Sequence, residues 1–431
     1  MRLKRWPSIM LLGAIAAATT LSGQIEFHGQ VNPLARLTVK QRYLSLPHRF
    51  VTLEGERRGE AVSLYFSTAL EYRLGSNEVM LDLREVYAEV STGLGDFRFG
   101  KQIFAWGAAD GNNPTDNVSP YDFYYLFLPG ADRKLGNVAA SANLYLGPVN
   151  LEVVVTPVFL PNRLPLNEPD FPIFGDAPFD IDLNKANRPT PELKNTEMGL
   201  RVRLPLSLMD ISFSYFRGFD RMFTPVIGYL TDTILPFPYL EALEYHRTQV
   251  FGGDVVTFLG DWAVRIEGAY FLTEDRDGTD PFIRNPYLQY VLQLDRTGDL
   301  GTYMVQFLGT VITRIDGNDV TNPFTGSTVT EGDNERDNLS PKMGMPFAAI
   351  AQNAVLASAS FQFLDGRYEV RSNALYDLDH QGFMVGGGLT IALEAAFDLE
   401  LGLTLLGGGQ DSRLYGIRDF SHLYAAMTYH F

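Results

Sequence analysis

The sequence predicts an all-β fold, a transmembrane antiparallel up-and-down β-barrel of about 18 strands. Three observations lead to this prediction. Short segments in which apolar and polar residues alternate recur along the chain, as expected for strands with two unlike faces. The connections between these segments alternate between tight turns and long loops. The last segment, Ser421–Phe431, keeps the alternation to the final residue, which is aromatic.

The N-terminal 23 residues have the pattern of a secretory signal peptide. Arg2, Lys4 and Arg5 form a positive region, and Ile9–Ala18 is a short apolar stretch followed by small residues. This stretch is too short to span a bilayer as an anchor. The expected division is therefore a signal peptide, 1–23, and a barrel domain, 24–431. The chain contains no cysteine, which excludes disulfides and a lipid-modified cysteine.

The composition narrows the class further. After the leader, no run of about 18 apolar residues remains, which argues against a helical membrane protein. Yet 45% of residues are hydrophobic and 13% are aromatic, which suits strands with one apolar face. The formal charge is −16, and loss of the three basic leader residues leaves 32 basic against 51 acidic residues, or −19. Nucleic-acid binding is disfavoured, because phosphate recognition needs a basic surface.

The alternating segments give the strand count. Two weaker candidates, Gln24–Val39 and His48–Gly55, come first, and including them gives 18 strands with both termini in the periplasm. If the first segment is a periplasmic stub or a plug, the count is 16. The clear candidates are Ala61–Tyr72, Glu78–Val90, Asp96–Ala105, Asn137–Leu146, Asn150–Val158, Thr196–Leu204, Asp210–Phe219, Thr248–Phe258, Trp262–Thr273, Tyr287–Leu294, Gly301–Ile312, Val355–Leu364, Arg367–Leu378, Phe383–Leu393, Phe397–Leu406 and His422–Phe431.

Connection lengths indicate the topology. Short turns on one side and long loops on the other are typical of outer-membrane barrels. The final strand, closing on Phe431, also resembles the last strand of these bacterial proteins, which implies export through the periplasm to a Gram-negative outer membrane. The tight turns are Gly93–Gly95, Gly147–Pro148, Pro205–Met209, Gly260–Asp261, Gly298–Asp299, Asp365–Gly366 and Glu394–Ala396. The long connections are Trp106–Gly136, Phe159–Lys194, Asp220–Arg247, Glu274–Pro286 and Thr313–Ile350.

The polar face of the strands carries charged residues. A charge that faces lipid at mid-depth costs roughly 2–4 kcal/mol, so these side chains are expected to face the lumen. There they either line a constriction that selects solutes by charge and size or form Arg–Glu ladders that fill the lumen. The candidate pore-lining residues of the strands are Arg98, Gln102, Arg201, Arg203, Arg265, Glu267, Arg367, Glu369 and Arg371.

The most distinctive segment is Phe97–Asp122, in which a strand ends at Trp106-Gly107 and a Gly/Asn/Asp/Pro loop follows. It resembles porin-like outer-membrane families, including alginate-export-type barrels and related barrels of unassigned function. The matching residues are Gly100, Lys101, Gln102, Trp106, Gly107, Asp110, Gly111, Asn113, Pro114 and Asp116.

The resemblance implies a porin-like barrel in which the loop Ala108–Lys134 turns inward and narrows the pore. Asp110 and Asp116 are then candidate constriction residues. A rigid cap on the extracellular rim is the alternative. The long Arg/Lys ladder expected of an alginate exporter is not evident, and the strongly acidic chain disfavours transport of polyanions.

Two long loops are unusually apolar, Phe159–Phe179 and Met222–Leu240. Exposed loops do not usually carry this much apolar surface unless it packs or binds something. Either the loops fold over the barrel mouth and bury each other, or they form a binding site for hydrophobic solutes.

No sequence motif predicts catalysis, a metal or a cofactor. The six histidines fall into no hydrolase or metal-binding pattern, and Asp377–His380 only faintly resembles the Asp–His arrangement of barrel proteases. The acidic segments Glu274–Asp280 and Glu331–Glu335 lack the spacing of a calcium loop, so solvated loops are the simpler interpretation. An enzyme is not expected.

The function predicted from these features is a porin-like channel for passive diffusion of small solutes. The alternatives are a transporter for hydrophobic compounds with a plugged lumen and a non-transporting structural or adhesive barrel. The expected partners are outer-membrane lipid, lipopolysaccharide and small-molecule solutes. A homo-oligomer is also compatible with the outward apolar residues.

Overall fold

A computed structural model describes residues 24–39, 42–166, 168–171, 173, 181–230, 237–280, 283–299, 301–313, 320–321, 328–329, 343–394 and 396–431. The expected signal peptide, the acidic segment Glu331–Glu335 and parts of both apolar loops lie outside these ranges. Among the described residues, no helix is both long and apolar enough to cross a membrane.

Strands account for most of the described chain. In order they are β1 (Glu26–Val31), β2 (Leu34–Thr38), β3 (Pro47–Arg57), β4 (Val62–Arg73), β5 (Glu78–Ser91), β6 (Gly95–Gln102), β7 (Asn137–Leu146), β8 (Val149–Thr156), β9 (Glu197–Pro205), β10 (Met209–Phe219), β11 (Thr224–Leu230), β12 (Phe237–Glu244), β13 (Arg247–Leu259), β14 (Trp262–Thr273), β15 (Tyr287–Gly298), β16 (Gly301–Ile312), β17 (Val320–Thr321), β18 (Thr328–Val329), β19 (Asn353–Phe363), β20 (Tyr368–Asp377), β21 (Gly382–Glu394), β22 (Phe397–Gly408) and β23 (His422–His430).

The wall is a closed antiparallel sheet. Each wall strand pairs with its neighbours along the chain, and β23 closes the barrel by pairing with β22 on one side and with both β1 and β2 on the other. Because β1 and β2 follow one another along β23, they occupy a single position in the wall. Counted over the described residues, the barrel therefore has 18 strand positions, and the prediction of an 18-stranded barrel is confirmed. The alternative of 16 is wrong, since the segment from Glu26 to Thr38 joins the wall.

The register keeps the two faces of the wall distinct. In the β15–β16 hairpin, Leu292 lies opposite Phe307 and Gln293 opposite Gln306. Leu292 and Val305 are exposed on the outer surface, whereas both glutamines are fully buried inside. Apolar residues outside and polar residues inside are what a bilayer around an aqueous lumen requires.

The two ends of the barrel differ as expected. The turns named above that join the wall strands all lie at one end, which we call the tight-turn end. The opposite, long-loop end carries the connections after β6, β8, β10, β14 and β16. One of these was predicted as an irregular loop and is instead partly a hairpin: β11 pairs with β12, with a register shift between Val226 and Ile227. Alternating β-branched and aromatic residues favour this hairpin over an irregular loop.

A large apolar cluster fills the barrel at the long-loop end. Its members come from the inner face of β15–β22 and from loops that fold down onto it. Leu164, Phe171 and Ile173 of the first apolar loop and Met222 of the second are buried here, whereas Tyr239 of the second loop is exposed. The wall contributes Val291, Met304, Leu308, Ala354, Leu356, Leu375, Met384 and Leu406, and the loops contribute Leu44, Leu46, Ala109, Tyr121, Phe123, Leu126, Leu164, Phe171, Ile173, Met222, Met345, Phe347, Ala349, Ile350, Ala351, Leu414, Ile417 and Phe420.

Candidate functional site

The connection between β6 and β7, residues 103–136, folds into the barrel, and we call it the crossing loop. Its residues 108–113 contact the inner faces of β14, β15 and β16. Five wall strands, β7, β8, β9, β10 and β13, separate β6 from β14 along the sheet. The crossing loop therefore spans the lumen and is not a cap on the rim.

Glu267, on the inner face of β14, holds the loop on the far side. Its carboxylate accepts five hydrogen bonds: from the backbone N–H groups of Ala108 (2.9 Å) and Ala109 (3.2 Å), from Asn113 Nδ2 (3.0 Å), and from Thr115 N (3.1 Å) and Oγ1 (2.7 Å). Only 1% of Glu267 is exposed. A buried carboxylate is tolerated here because donors of the loop replace its hydration shell.

Gly107 makes this close approach possible. Its φ is +102°, a region that strains any residue with a Cβ. A Cβ at this position would lie 2.3 Å from Asn113 Nδ2 and 2.7 Å from the Glu267 carboxylate. The sequence pattern Trp106-Gly107 is thus explained: the chain turns tightly at Gly107 so that the following amides reach Glu267.

Asp110 forms the part of the loop next to the open lumen. Gln293 Nε2 donates to Asp110 Oδ2 (2.7 Å), and the backbone N–H of Asp110 donates to Gln293 Oε1 (2.7 Å). Gln306 Nε2 donates to the Asp110 carbonyl (3.2 Å). Asp110 itself is exposed, unlike its neighbours Ala109 and Asn112. Its free carboxylate surface therefore faces solvent inside the barrel.

Asp116, the second loop candidate, does not face the lumen. It is buried and forms an ion pair with Lys134 (2.9 Å), whose ammonium also lies 3.8 Å from the centre of the Tyr121 ring. Burial lowers the pKa of Lys134 to about 8, although the Asp116 carboxylate opposes the shift. The pair joins the two limbs of the crossing loop to each other.

A second anchor joins the loop to β4. Arg163, from the connection after β8, contacts Asp122 (3.0 Å) and Glu71 (3.0 Å), and Tyr125 Oη donates to Glu71 (2.9 Å). Asp122 is completely buried, and burial raises its pKa to about 6 despite the nearby Arg163 guanidinium.

The connection after β10 completes the closure. Arg221 donates from Nη1 to Glu197 on β9 (2.8 Å) and from Nη2 to the carbonyl of Val118 in the crossing loop (2.9 Å). Arg221 and Glu197 are both buried. Near Asp116, Tyr121 and Arg221 a cavity remains with room for about one water molecule.

The predicted pore-lining arginines lie towards the tight-turn end, each beside a polar partner on a neighbouring strand or its own strand. About half of the side-chain surface is exposed to solvent in Arg98, Arg203 and Arg371, whereas the side chain of Arg201 is buried. Their contacts are Arg98 with Glu89, Arg201 with Asp254 (3.2 Å), Arg203 with Asn150 (3.0 Å), Arg265 with Asp295 (2.9 Å) and Arg371 with Glu369 (2.9 Å).

Two candidates occupy other positions. Arg367 lies in the tight turn before β20, and its guanidinium is 5.9 Å from the centre of the Tyr368 ring. Strand β20 begins at Tyr368, one residue later than the alternation predicted, so Arg367 belongs to the turn. Gln102 is buried and links β6 to β7, donating to the Ala139 carbonyl (3.1 Å) and accepting from Ser141 (2.8 Å).

Sequence reasoning missed the residues that receive the crossing loop, above all Gln293 and Gln306. Their alternation with outward leucine and valine marked them as inward-facing, but nothing local distinguished them from other lumen residues. The anchor Arg163 lies in the apolar loop Phe159–Phe179, and Arg221 immediately precedes the apolar loop Met222–Leu240; the only local signal was an arginine beside apolar residues.

The described residues contain no group of three acidic or histidine side chains placed to hold a metal ion. Asp275 accepts from the N–H groups of Gly278 and Asp280, which makes it a loop-capping residue. Asp377 likewise accepts from the N–H of Asp379 and from Ser412 Oγ (3.2 Å). These contacts have a structural explanation.

Comparison with known proteins now gives the family. A family model described as a protein of unknown function (DUF1302) matches residues 67–431. The chain belongs to this family. The porin-like character implied by the Phe97–Asp122 resemblance agrees with the fold, but the match supports no more specific family such as the alginate exporters. No curated protein matches the sequence.

Among solved structures, two barrels of Pseudomonas aeruginosa share the fold. OccK1 (OpdK) is 10% identical, with a TM-score of 0.51 and coverage of 95% of this chain and 98% of that one. OccK5 (OpdH) is 9% identical, with a TM-score of 0.50 and the same coverage. At this identity the likeness concerns architecture only.

Proposed function

We propose that this protein is a loop-gated channel of the Gram-negative outer membrane through which small solutes diffuse passively. Membrane lipid and lipopolysaccharide would surround its outer face, and no turnover chemistry is involved. The observation that carries the proposal is the crossing loop, which is bound by Glu267 on the far side of the lumen.

The tight-turn half of the barrel supports an aqueous passage. Side chains of Arg98 and Arg371 are about half exposed although they point inward, so solvent reaches them within the lumen. Asp110 bounds the same space from the side of the loop. Paired charges that remain solvated are suited to sorting ions and polar solutes.

The long-loop half supports a gate. There the apolar cluster and the buried ion pairs of Lys134 and Arg221 hold several loops together across the mouth. Polar and apolar contacts of this kind can be exchanged for others when loops move, whereas the hydrogen-bonded wall cannot open so readily. We therefore expect a closed state with occasional openings rather than a permanently open sieve.

Planar-bilayer recording tests this. The wild-type protein should give brief, small current steps, and Arg98→Gln should change the ion selectivity of the open state because that side chain meets the solvated lumen. Arg201→Gln is the matched control, since Arg201 is buried against Asp254 and contacts the solvated lumen little. Electrically silent insertions, even after loosening of the crossing loop, would reject the channel.

A second candidate is a transporter for hydrophobic compounds. It is favoured by the apolar inner face of β15–β22, which is unusual for a lumen that only polar solutes cross. Uptake of an apolar solute into vesicles should then fall when Leu308→Asn places an amide in this face. Unchanged uptake would remove this candidate.

A further inference from the structure

The pairing of the wall is interrupted between β2 and β3. β1 pairs with β3 from Glu26 opposite Glu56 to Val31 opposite Val51, and Asn32 N still donates to the Phe50 carbonyl (2.8 Å). Pairing resumes only where Leu44 N donates to the Arg36 carbonyl (3.1 Å).

Between these two points the strands separate. Residues 45–49 stand opposite the shorter stretch 33–35, and neither stretch, both of which are described in full, pairs with the other. β2 remains paired to β23, and β3 remains paired to β4 with a register shift between Arg49 and Val51, so the gap lies between two pairs of strands. Unpaired backbone in a membrane wall is costly unless other groups satisfy it.

Buried polar side chains without partners collect at this gap. They are Asn32 Oδ1 and two guanidinium nitrogens of Arg49, Nε and Nη2. The remaining Arg49 nitrogen is 3.6 Å from Asp132, whose side chain is largely exposed. Native proteins rarely leave several buried polar atoms unsatisfied at one place, so these atoms are suited to bind a polar group.

Arg36 lies at the inner side of the gap. It is opposite Tyr424 on β23, on the face that points into the barrel. No hydrogen bond or ion pair to its guanidinium is found among the described residues, and its electrostatic neighbours are Tyr125, Tyr424, His48 and His422.

The carboxylates nearest to these groups are already engaged. Tyr125 donates to Glu71, which Arg163 also holds, and Tyr424 donates to Glu400 (3.0 Å). Arg49 stacks on Tyr125 (4.0 Å to the ring centre). Asp132, the carboxylate nearest to Arg49, is shared with Arg84 (3.7 Å). The gap thus has two guanidinium groups with unused donors beside carboxylates that already have cationic or tyrosine partners, which is an arrangement for binding an anion.

The apolar cluster adjoins the same place. Leu44 and Leu46 belong to it, and Phe420 of the cluster packs edge-on against His422 (4.7 Å between ring centres). A ligand whose anionic group is bound by Arg36 would therefore place its other end against aliphatic and aromatic side chains. Such surroundings select an apolar chain over a polar one.

We propose that Arg36, Arg49, Tyr125 and His422 form a binding site, the seam site, for an amphipathic carboxylate. The carboxylate bonds to Arg36 and Arg49, and the apolar chain lies along Leu44 and Leu46. The inference that amphipathic carboxylates are solutes of this protein rests on the proposed channel function. Their binding to the seam site can be measured without any transport.

Isothermal titration of the full-length barrel in detergent tests the seam site, with octanoate as the probe and octanol as a neutral ligand of equal chain length. Octanoate should bind, and octanol should bind at least tenfold more weakly. Arg36→Met should weaken octanoate binding by roughly ten- to a hundredfold, the range expected for a lost charged hydrogen bond. Arg36→Lys should restore part of it.

The control is Arg58→Met, which removes an exposed arginine paired with Glu56 near the tight-turn end and should leave octanoate binding unchanged. Equal binding of octanoate and octanol by the wild type, or no binding of either, would overturn the seam site, and neither result requires a variant that folds. Binding of octanoate by a protein that never conducts would refute the channel and leave the site standing.

Discussion

Replacement of Glu267 by glutamine should release the crossing loop from the far wall. The change conserves shape and removes the charge and one acceptor atom. In the wild type, one carboxylate oxygen accepts from Ala108, Ala109 and Asn113, and the other accepts from the N–H and hydroxyl of Thr115. The amide of glutamine must turn its NH₂ group towards one of these two sets of donors.

The smaller loss occurs on the Thr115 side. If the glutamine NH₂ group faces Thr115, the Thr115 hydroxyl can rotate and accept a hydrogen bond from it, but the Thr115 N–H is left facing an N–H group. The hydrogen bonds from Ala108, Ala109 and Asn113 remain, but their acceptor is no longer charged. A hydrogen bond to a charged group contributes about 1.5–3 kcal/mol and a neutral one about 1 kcal/mol. Relief of the buried charge offsets part of the loss. We expect a net cost of about 2–4 kcal/mol, which raises the population of the detached loop roughly thirty- to thousandfold.

Hydrogen exchange measured by mass spectrometry in detergent reports this directly. Peptides that cover residues 108–117 should lose protection by about two orders of magnitude in Glu267→Gln, and channel recordings of the same variant should show more frequent openings. Glu152→Gln is the control, because Glu152 also points inward but, within the described residues, its carboxylate forms an ion pair only with Arg203, at 4.0 Å. Unchanged protection of these amides would refute the reasoning that Glu267 anchors the loop.

The remaining predictions concern the stability of the folded barrel, measured by urea unfolding in micelles. Gly107→Ala should destabilise by about 1–3 kcal/mol through strain and contact, whereas Gly93→Ala, in an open turn, should change little. Lys134→Met should lower the free energy of unfolding by about 3–5 kcal/mol because it leaves the Asp116 carboxylate buried without its cation. Adding Asp116→Asn should recover much of this loss. Equal losses in the single and double variants would contradict this. Burial raises the pKa of Asp122 to about 6, so its ionised form opposes folding above that pH. The free energy of unfolding should therefore rise as the pH falls from 7 to 4, and Asp122→Asn should remove that rise. An identical pH profile in the variant would exclude the effect.

Much of the fold could be predicted because its determinants are local. The alternation in segments such as Trp262–Thr273 and Tyr287–Leu294 reflects which side chains face lipid. Once one residue of a strand is assigned to a face, the faces of the other residues follow. Turn residues such as Gly147 and Gly260, both with positive φ, mark the tight-turn end. The errors were also local: Arg367 was assigned to a strand instead of a turn, and the β11–β12 hairpin was not recognised.

The candidate site was only partly predictable. Asp110 and Glu267 were chosen as polar residues of a loop and a lumen face, yet nothing in the sequence indicated that the Asp110 loop is bound by Glu267. Asp116 was selected from the same motif and is buried in an internal ion pair.

By itself, then, the amino-acid order determined a membrane barrel with apolar residues outside, polar residues inside and unequal ends, because each strand encounters lipid and water directly. Only the tertiary structure decided which groups meet across the lumen. Ala108 and Glu267 are 159 positions apart and come together through closure of the whole wall. The gap beside Arg36 is likewise a tertiary feature: residues 45–49 face the shorter stretch 33–35, and that two-residue difference appears only when β2 is held by β23 and β3 by β4.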